Sequence, residues 1–205
     1  MGEAQSGYDV HAAETTVTVF CASSRQCASA YHDAARRLGQ VLAEAGITIV
    51  YGGSAIGSMG ALAEGALARG GRVIGVLPRF MQELEWGHKG LSELHLVDDM
   101  RQRKEKMLQG SHGVIALPGG CGTMEELFEA ITLKRLGLFV YPIILVNTRG
   151  FFAPLLRLLS LAIAERFMDP RHEAMWQVIA EPEDVPGALA SATPWSKAAQ
   201  QFAAL

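Results

Sequence analysis

The sequence contains 205 residues, of which 49% are hydrophobic and 19% are charged, and its net charge at pH 7 is −3. This length suits one domain with a buried core, and the mildly acidic charge argues against a general nucleic-acid-binding protein. No apolar run reaches the roughly 20 residues of a membrane-spanning helix. Three cysteines, without metal-binding spacing among them or the histidines, predict a cytoplasmic protein with reduced thiols and no metal.

Short apolar runs alternate with segments of helical periodicity along the chain. This alternation predicts a doubly wound, Rossmann-like parallel sheet with helices on both faces, in a single α/β domain. The predicted strands are 16–21, 47–53, 72–78, 93–98, 113–120, 141–147 and 176–181. The predicted helices are 29–46, 59–71, 100–109, 122–137, 152–167 and a short one near 182–191.

The segment 79–93 shows no clear period, so we expect an irregular binding loop or lid there. No repeat or linker divides the chain. We expect residues 1–14 to be disordered, residues 15–192 to form the domain, and residues 193–205 to form a C-terminal tail. In a doubly wound sheet, ligands bind beyond the carboxyl ends of the strands.

Three turns at those strand ends lead into helices: CASSRQ, YGGSAIGSMG and PGGCGT. Free backbone N–H groups and the positive end of a helix dipole make such turns suitable for phosphate, although glycines can also serve only to allow a tight turn. The dinucleotide pattern GxGxxG is missing from the first turn, and Ser58-Met59 stands where a Walker motif needs Lys-Ser/Thr. The sequence therefore favours a phosphate-bearing ligand, and it supports neither nicotinamide-dependent chemistry nor nucleoside triphosphate hydrolysis.

The predicted helix MRQRKEKM places two cations on its apolar face. That face contains Met100, Arg103, Lys104 and Met107. Buried cations need an anionic partner, which is either a ligand or a carboxylate, unless their side chains extend along the helix edge to solvent. The nearby acidic residues are Glu125, Glu126 and Glu129, and periodicity does not distinguish which of them faces the ligand.

The motif M-x-x-R-K from Met100 to Lys104, followed by P-G-G-x-G-T-x-x-E from Pro118 to Glu126, resembles the LONELY GUY family. Its members are cytokinin riboside 5'-monophosphate phosphoribohydrolases, often mislabelled as lysine decarboxylases, and the resemblance covers roughly residues 16–190. It implies a cofactor-independent N-glycosidase that acts on cytokinin riboside 5'-monophosphates or AMP. The products would be a free adenine, with or without an N6 substituent, and ribose 5-phosphate.

The resemblance also implies roles for individual residues. Arg103 and Glu126 would be the catalytic pair. The 5'-phosphate would bind to the loop residues Gly119, Gly120, Gly122 and Thr123. Further substrate contacts would come from Ser23, Gly52, Gly53, Met59, Gly60, Glu85, Lys104 and Thr132.

Departures from the family pattern leave the catalytic positions intact. Ala22 and Ser54 replace glycines of the usual C-G-S-S and Y-G-G-G, and the usual W-x-Q-L-G becomes LKRLG at 133–137. The preferred base, adenine or an N6-prenylated adenine, therefore stays open. A non-catalytic nucleotide or cofactor carrier on the same fold is the alternative function. A pyridoxal-phosphate decarboxylase would need a Schiff-base lysine, for which only Lys104 is placed.

The resemblance implies a homodimer, and the predicted helix 152–167 independently favours one. Its apolar residues surround most of the helix: Leu155, Leu156, Leu158, Leu159, Leu161 and Ile163. One face of a sheet covers only one apolar stripe, so the remaining side chains need another partner. That partner is either a second subunit or the C-terminal segment with Trp176, Val178 and Ile179, folded back over the helix.

Overall fold

The strands of the computed structural model, which describes residues 15–84 and 87–203, form one seven-stranded sheet. Every strand pair is parallel, and the strand order is β4-β3-β2-β1-β5-β6-β7. The strands are β1 Thr16–Phe20, β2 Thr48–Tyr51, β3 Val73–Pro78, β4 Glu93–Val97, β5 Val114–Ala116, β6 Ile143–Val146 and β7 Trp176–Ile179. The order reverses between β1 and β5, and such a switch point opens a crevice at the carboxyl ends of the strands.

Helices cover both faces of this sheet, as the sequence predicts. They are α1 Ser29–Glu44, α2 Gly57–Leu67, α3 Arg79–Glu83, α4 Met100–Leu108, α5 Cys121–Arg135, α6 Ala153–Ala164 and α7 Val185–Ala190. One apolar core joins α1, α2 and α7 to the sheet, and a second core joins α4, α5 and α6 to the opposite face. Alternate residues of β1 enter the two cores, with Val17 and Val19 in the first and Phe20 in the second. No helix in the described ranges is long and apolar enough to cross a membrane.

The segment 79–93 is more regular than the sequence indicates. Its first five residues form the short helix α3, which begins directly after Pro78, and Gly87 makes an isolated bridge with Ser54. A helix of one and a half turns is too short for apolar residues to recur at helical spacing, so the sequence pattern could not reveal α3. The last residues of several predicted strands, including Leu117–Gly120 after β5, instead form the turns that lead into helices.

The C-terminal residues pack against the end of α5. The indole Nε1 of Trp195 donates to the carbonyl oxygen of Lys134 at 2.8 Å, and the Trp195 ring contacts Phe202, which lies in a 3₁₀ turn over Lys197–Phe202. The buried ammonium of Lys134 lies 5.8 Å from the same indole ring and donates to the carbonyl oxygen of Tyr141 at 2.6 Å. These contacts fix the far end of the helix whose first turn borders the cavity described below.

Replacing Gly137 with alanine tests this docking of the C-terminal residues. Gly137 has a φ of +69° and an added Cβ would lie 2.6 Å from the backbone oxygen of Lys197, whereas Gly46 has a φ of +70° and open space around it. Both changes carry the left-handed penalty of about 1–2 kcal/mol, so only Gly137→Ala also displaces the tail. Denaturant titration should show the larger loss of unfolding free energy for Gly137→Ala, and equal losses would contradict the docking.

Candidate active site

A cavity of about 330 Å³ lies beyond the carboxyl ends of the strands, next to the switch point between β1 and β5. Its walls come from the turns after β1, β2 and β5, from the end of β3, and from the helices α2, α3, α4 and α5. Parallel strands bring these turns together because their carboxyl ends share one edge of the sheet. The glycine-bearing turns that the sequence singled out are therefore neighbours in space.

Many of the predicted site residues line this cavity. They are Ser23, Gly52, Met59, Arg103, Gly120, Gly122, Thr123 and Glu126. The cavity also contains residues that the sequence did not assign to it: Cys21, Ala22, Ser24, Ser54, Leu77, Met81 and Met100. Their position in or beside the predicted turns could have indicated most of them, but Met81 lies on α3, which the sequence did not predict.

Other predicted site residues lie outside the wall of this cavity. Gly60 faces the preceding loop, since a Cβ there would lie 2.2 Å from the backbone oxygen of Ala55. Gly119 contacts the side chain of Thr123, and Thr132 lies on the exposed side of α5. Further residues outside the cavity wall are Gly53 and Lys104. Glu85 lies outside the residues that the structure describes.

The guanidinium of Arg103 is buried beside the cavity and held by three elements. Its Nη1 donates to Oε1 of Glu126 at 3.2 Å, its Nη2 to the carbonyl oxygen of Gly52 at 3.1 Å, and its Nε to that of Val76 at 3.1 Å. The N-terminus of α4 is capped by Asp99, whose carboxylate accepts from the backbone N–H of Gln102 at 2.8 Å. A Cβ on Gly52 would lie 2.0 Å from Nη2, so this glycine leaves room for the guanidinium.

Glu126 is almost fully buried, with 3% of its surface exposed. Burial raises the pKa of its carboxyl group from 4.5 to about 7, although the positive charge of Arg103 opposes this rise. The group can therefore gain or lose a proton near neutral pH. A carboxyl group of this kind, which faces a cavity beside a fixed cation, is suited to proton transfer or to stabilising developing positive charge.

Two ionisable groups, Cys21 in the cavity wall and Tyr51 at the end of β2 behind it, are neutral. Burial raises the pKa of the Cys21 thiol far above its ordinary value, and burial also raises the pKa of the Tyr51 hydroxyl. The Tyr51 hydroxyl donates to the carbonyl oxygen of Ser54 at 3.2 Å. Glu126 and Arg103 are consequently the charged groups in this cavity wall. Within the part of the chain that the structure describes, no group of three His, Cys, Asp or Glu could hold a metal ion.

The turn after β5 has the features of an anion-binding site. Gly120 immediately precedes α5, so the N–H groups of the first turn, from Cys121 to Thr123, have no partner within the helix. An added Cβ at Gly120 or Gly122 would meet no atom within 4 Å, which leaves the backbone accessible from the cavity. Glu126 follows Thr123 by three residues, or about 4.5 Å along the helix. An anion at the helix start would thus lie about one turn from the buried carboxyl group.

The raised pKa of Glu126 predicts a specific dependence of stability on pH. Between pH 4.5 and 7 the Glu126 carboxyl group holds its proton in the folded protein but not in the unfolded chain, so the contribution of this one group to stability is greatest below pH 4.5 and is lost as pH rises through about 7. We expect wild type to lose about 2–3 kcal/mol relative to Glu126→Gln between pH 5 and 8. Denaturant titrations at several pH values measure this difference. The exposed Glu105→Gln change is the control, and curves for Glu126→Gln and wild type that stay parallel would contradict the expectation.

Comparisons with known proteins identify the family. The family model described as "Possible lysine decarboxylase" matches residues 59–189. A cytokinin riboside 5'-monophosphate phosphoribohydrolase from Rhodococcoides fascians is 40% identical over 86% of this chain and 88% of its own. One from Arabidopsis thaliana is 41% identical over 75% of this chain and 72% of its own. A molybdenum cofactor carrier protein from Chlamydomonas reinhardtii shares the fold, with a TM-score of 0.65 and 20% identity over 86% of this chain and 96% of its own. The chain belongs to the LONELY GUY family of cytokinin riboside 5'-monophosphate phosphoribohydrolases, whose model carries the lysine decarboxylase description.

Proposed function

We propose that the protein hydrolyses the N-glycosidic bond of a nucleoside 5'-monophosphate of the adenine type. The products are adenine or an N6-substituted adenine and ribose 5-phosphate. The observation that carries this proposal is the buried pair of Arg103 and Glu126, one helical turn from the glycine-bearing start of α5. The activity named for the relatives from Rhodococcoides fascians and Arabidopsis thaliana supports the same reaction.

Glu126 performs the chemical role in this proposal. Cleavage of an N-glycosidic bond builds positive charge on the ribose ring, as in other glycoside cleavages. An ionised carboxylate beside the ring stabilises that charge and can accept a proton from the attacking water. Burial increases both effects because water does not screen the carboxylate. Arg103 holds this carboxylate in place through the hydrogen bond from Nη1.

The turn after β5 performs the binding role. The N–H groups at the start of α5 and the hydroxyl group of Thr123 bind the 5'-phosphate, while the base extends toward Leu77, Met81 and Met100. The phosphate lies away from the bond that breaks, so its binding energy serves to position the ribose against Glu126. Lys104, the lysine that a Schiff-base cofactor would need, pairs with two carboxylates and lies outside the cavity wall.

We also propose a homodimer whose interface includes α6. Leu158 and Leu161 on this helix are 58% and 55% exposed, and Phe167 beyond it is 77% exposed. The C-terminal segment leaves these side chains uncovered, since β7 lies at the edge of the sheet and Val178 is itself 42% exposed. A second copy of the chain is the partner that would bury them. A cytoplasmic location belongs to the same proposal and is supported by free thiols at Cys21, Cys27 and Cys121.

Changing Glu126 to glutamine should lower turnover of AMP more than tenfold, because the amide keeps the shape of the side chain but loses its charge. A tenfold loss corresponds to about 1.4 kcal/mol of transition-state stabilisation. Binding of AMP, measured by calorimetry, should survive. Arg103→Lys should also be severely impaired, because one ammonium group cannot reproduce the fixed fork of hydrogen bonds. The matched control is Glu105→Gln on the exposed side of α4, and a Glu126→Gln variant that keeps more than about a tenth of wild-type turnover would remove Glu126 from the mechanism.

Adenosine should be a poor substrate relative to AMP, with a kcat/KM at least about a hundredfold lower, because the donors at the start of α5 would lose their anionic partner. Gly120→Val should weaken AMP binding in a folded protein, since the added side chain projects into open space. Gly187→Val, at an equally open position on α7, is the control. Equal kcat/KM values for adenosine and AMP would exclude phosphate binding at this turn.

Light scattering tests the dimer. The expected mass is twice the 22.0 kDa of one chain. Leu158→Glu and Leu161→Glu should give monomers, because a carboxylate in an apolar interface loses its hydration without gaining a partner. Leu138→Glu, at an exposed leucine outside α6, serves as the control. Wild-type protein that is monomeric at micromolar concentration would refute the dimer.

A further inference from the structure

Lys104 carries two ion pairs that the proposed reaction does not use. Its ammonium contacts the carboxylates of Glu125 and Glu129, the latter at 2.8 Å between Nζ and Oε2. The Lys104 side chain is only 16% exposed, although its partners are 57% and 37% exposed. Lys104 therefore lies beneath the two carboxylates, between α4 and α5, and outside the cavity wall.

The order of residues along α4 and α5 makes these pairs relevant to the active site. Arg103 and Lys104 are consecutive on α4, and they pair with Glu126 and with its acidic neighbours, respectively. Glu125 adjoins Glu126 in the chain, and Glu129 follows it by three residues, a spacing that brings side chains close on a helix. Two more negative charges thus lie beside the buried carboxyl group, and like charges disfavour ionisation.

We infer that Lys104 is a positioning residue whose ammonium neutralises Glu125 and Glu129, so that Glu126 can keep its negative charge in the buried site. This inference rests on the proposed function in one respect, that the reaction uses ionised Glu126. It assigns no substrate contact to Lys104.

The charged and titratable groups around Glu126 act in the directions that this role requires. Burial is the main influence and raises the pKa of Glu126, and Arg103 on α4 lowers it. Glu125 raises the pKa, Lys104 lowers it, and Glu129 raises it. Cys21, which directly follows β1 and interacts with Glu126, stays neutral because burial raises the pKa of its thiol. Without Lys104, the negative charges of Glu125 and Glu129 would disfavour ionisation of Glu126, and Arg103 would be the one cation among these groups that favours it.

The dependence of kcat/KM on pH, measured as release of adenine from AMP, tests this role. Glu126 must be ionised to act, so activity rises with pH through its pKa of about 7. Lys104→Gln should move this rise upward by about half a pH unit or more, which lowers kcat/KM about threefold on the acid side and leaves the alkaline plateau unchanged. Lys104→Arg, which keeps the charge, should restore the wild-type profile.

Two further variants separate this role from simple structural support. Lys106→Gln removes the same charge from α4, but Lys106 donates to Gln109, the residue that follows α4, so its profile should match wild type. The double variant Glu125→Gln/Glu129→Gln, at positions outside the cavity, should move the rise downward while Lys104 is present. A Lys104→Gln loss of equal size at every pH, or a profile identical to that of Lys106→Gln, would overturn the inference.

Infrared spectroscopy of the carboxyl groups provides a readout that needs no substrate. The titration of Glu126 is identified by subtracting the spectra of Glu126→Gln. Its midpoint should move to higher pH in Lys104→Gln but not in Lys106→Gln. If wild type released no base from any nucleotide, the proposed function would fail, but this shift would still support the effect of Lys104 on Glu126. An unchanged Glu126 titration in Lys104→Gln would overturn the inference whether or not the enzyme is active.

Discussion

A guanidinium removed from water needs a partner for its charge and for its N–H groups, and Arg103 finds these on three different elements. It binds the carboxylate of Glu126 on α5 and the carbonyl oxygens of Gly52 after β2 and Val76 within β3. Loss of a carbonyl partner would leave a buried donor unsatisfied at a cost of about 1–3 kcal/mol, and loss of the carboxylate would leave a buried charge unpaired at a cost of about 3–5 kcal/mol. Apolar packing holds α4 and α5 on the sheet, and Arg103 links the two helices to each other and to the strand ends at the cavity wall.

The same pairing explains why the cavity contains a buried carboxyl group that can ionise near neutral pH. A glutamate with 3% exposure would ordinarily stay protonated, because burial disfavours the charged form. Arg103 opposes that effect directly, and Lys104 reduces the repulsion from the neighbouring acids of α5. The pKa of Glu126 therefore lies at about 7 rather than far above it. Burial and the two cations together give Glu126 a pKa near neutral pH and leave its carboxylate poorly screened by water.

Much of this arrangement could be predicted from the sequence. The alternating pattern gave the parallel sheet and its helices, and the shared face of Arg103 and Lys104 indicated cations turned toward the protein interior. Periodicity could not choose among Glu125, Glu126 and Glu129, because the choice depends on how α5 is rotated against α4, a tertiary contact that no local pattern records. Helix α3 and its Met81 were missed because five residues are too few to show a period. The sequence left open whether the Arg103 side chain extends to solvent. The structure shows it buried, and this could not be predicted because its three acceptors come from segments that are distant in the chain.

Product analysis by mass spectrometry is the decisive measurement. Purified protein is incubated with a panel of nucleoside 5'-monophosphates that includes AMP, its N6-prenylated derivative, and GMP, CMP and UMP. The arrangement of Arg103, Glu126 and the turn after β5 predicts equimolar free base and ribose 5-phosphate from at least one adenine-type nucleotide, with one oxygen of the sugar product derived from solvent water. Tight binding of these nucleotides without release of any base would contradict hydrolysis and would favour a carrier.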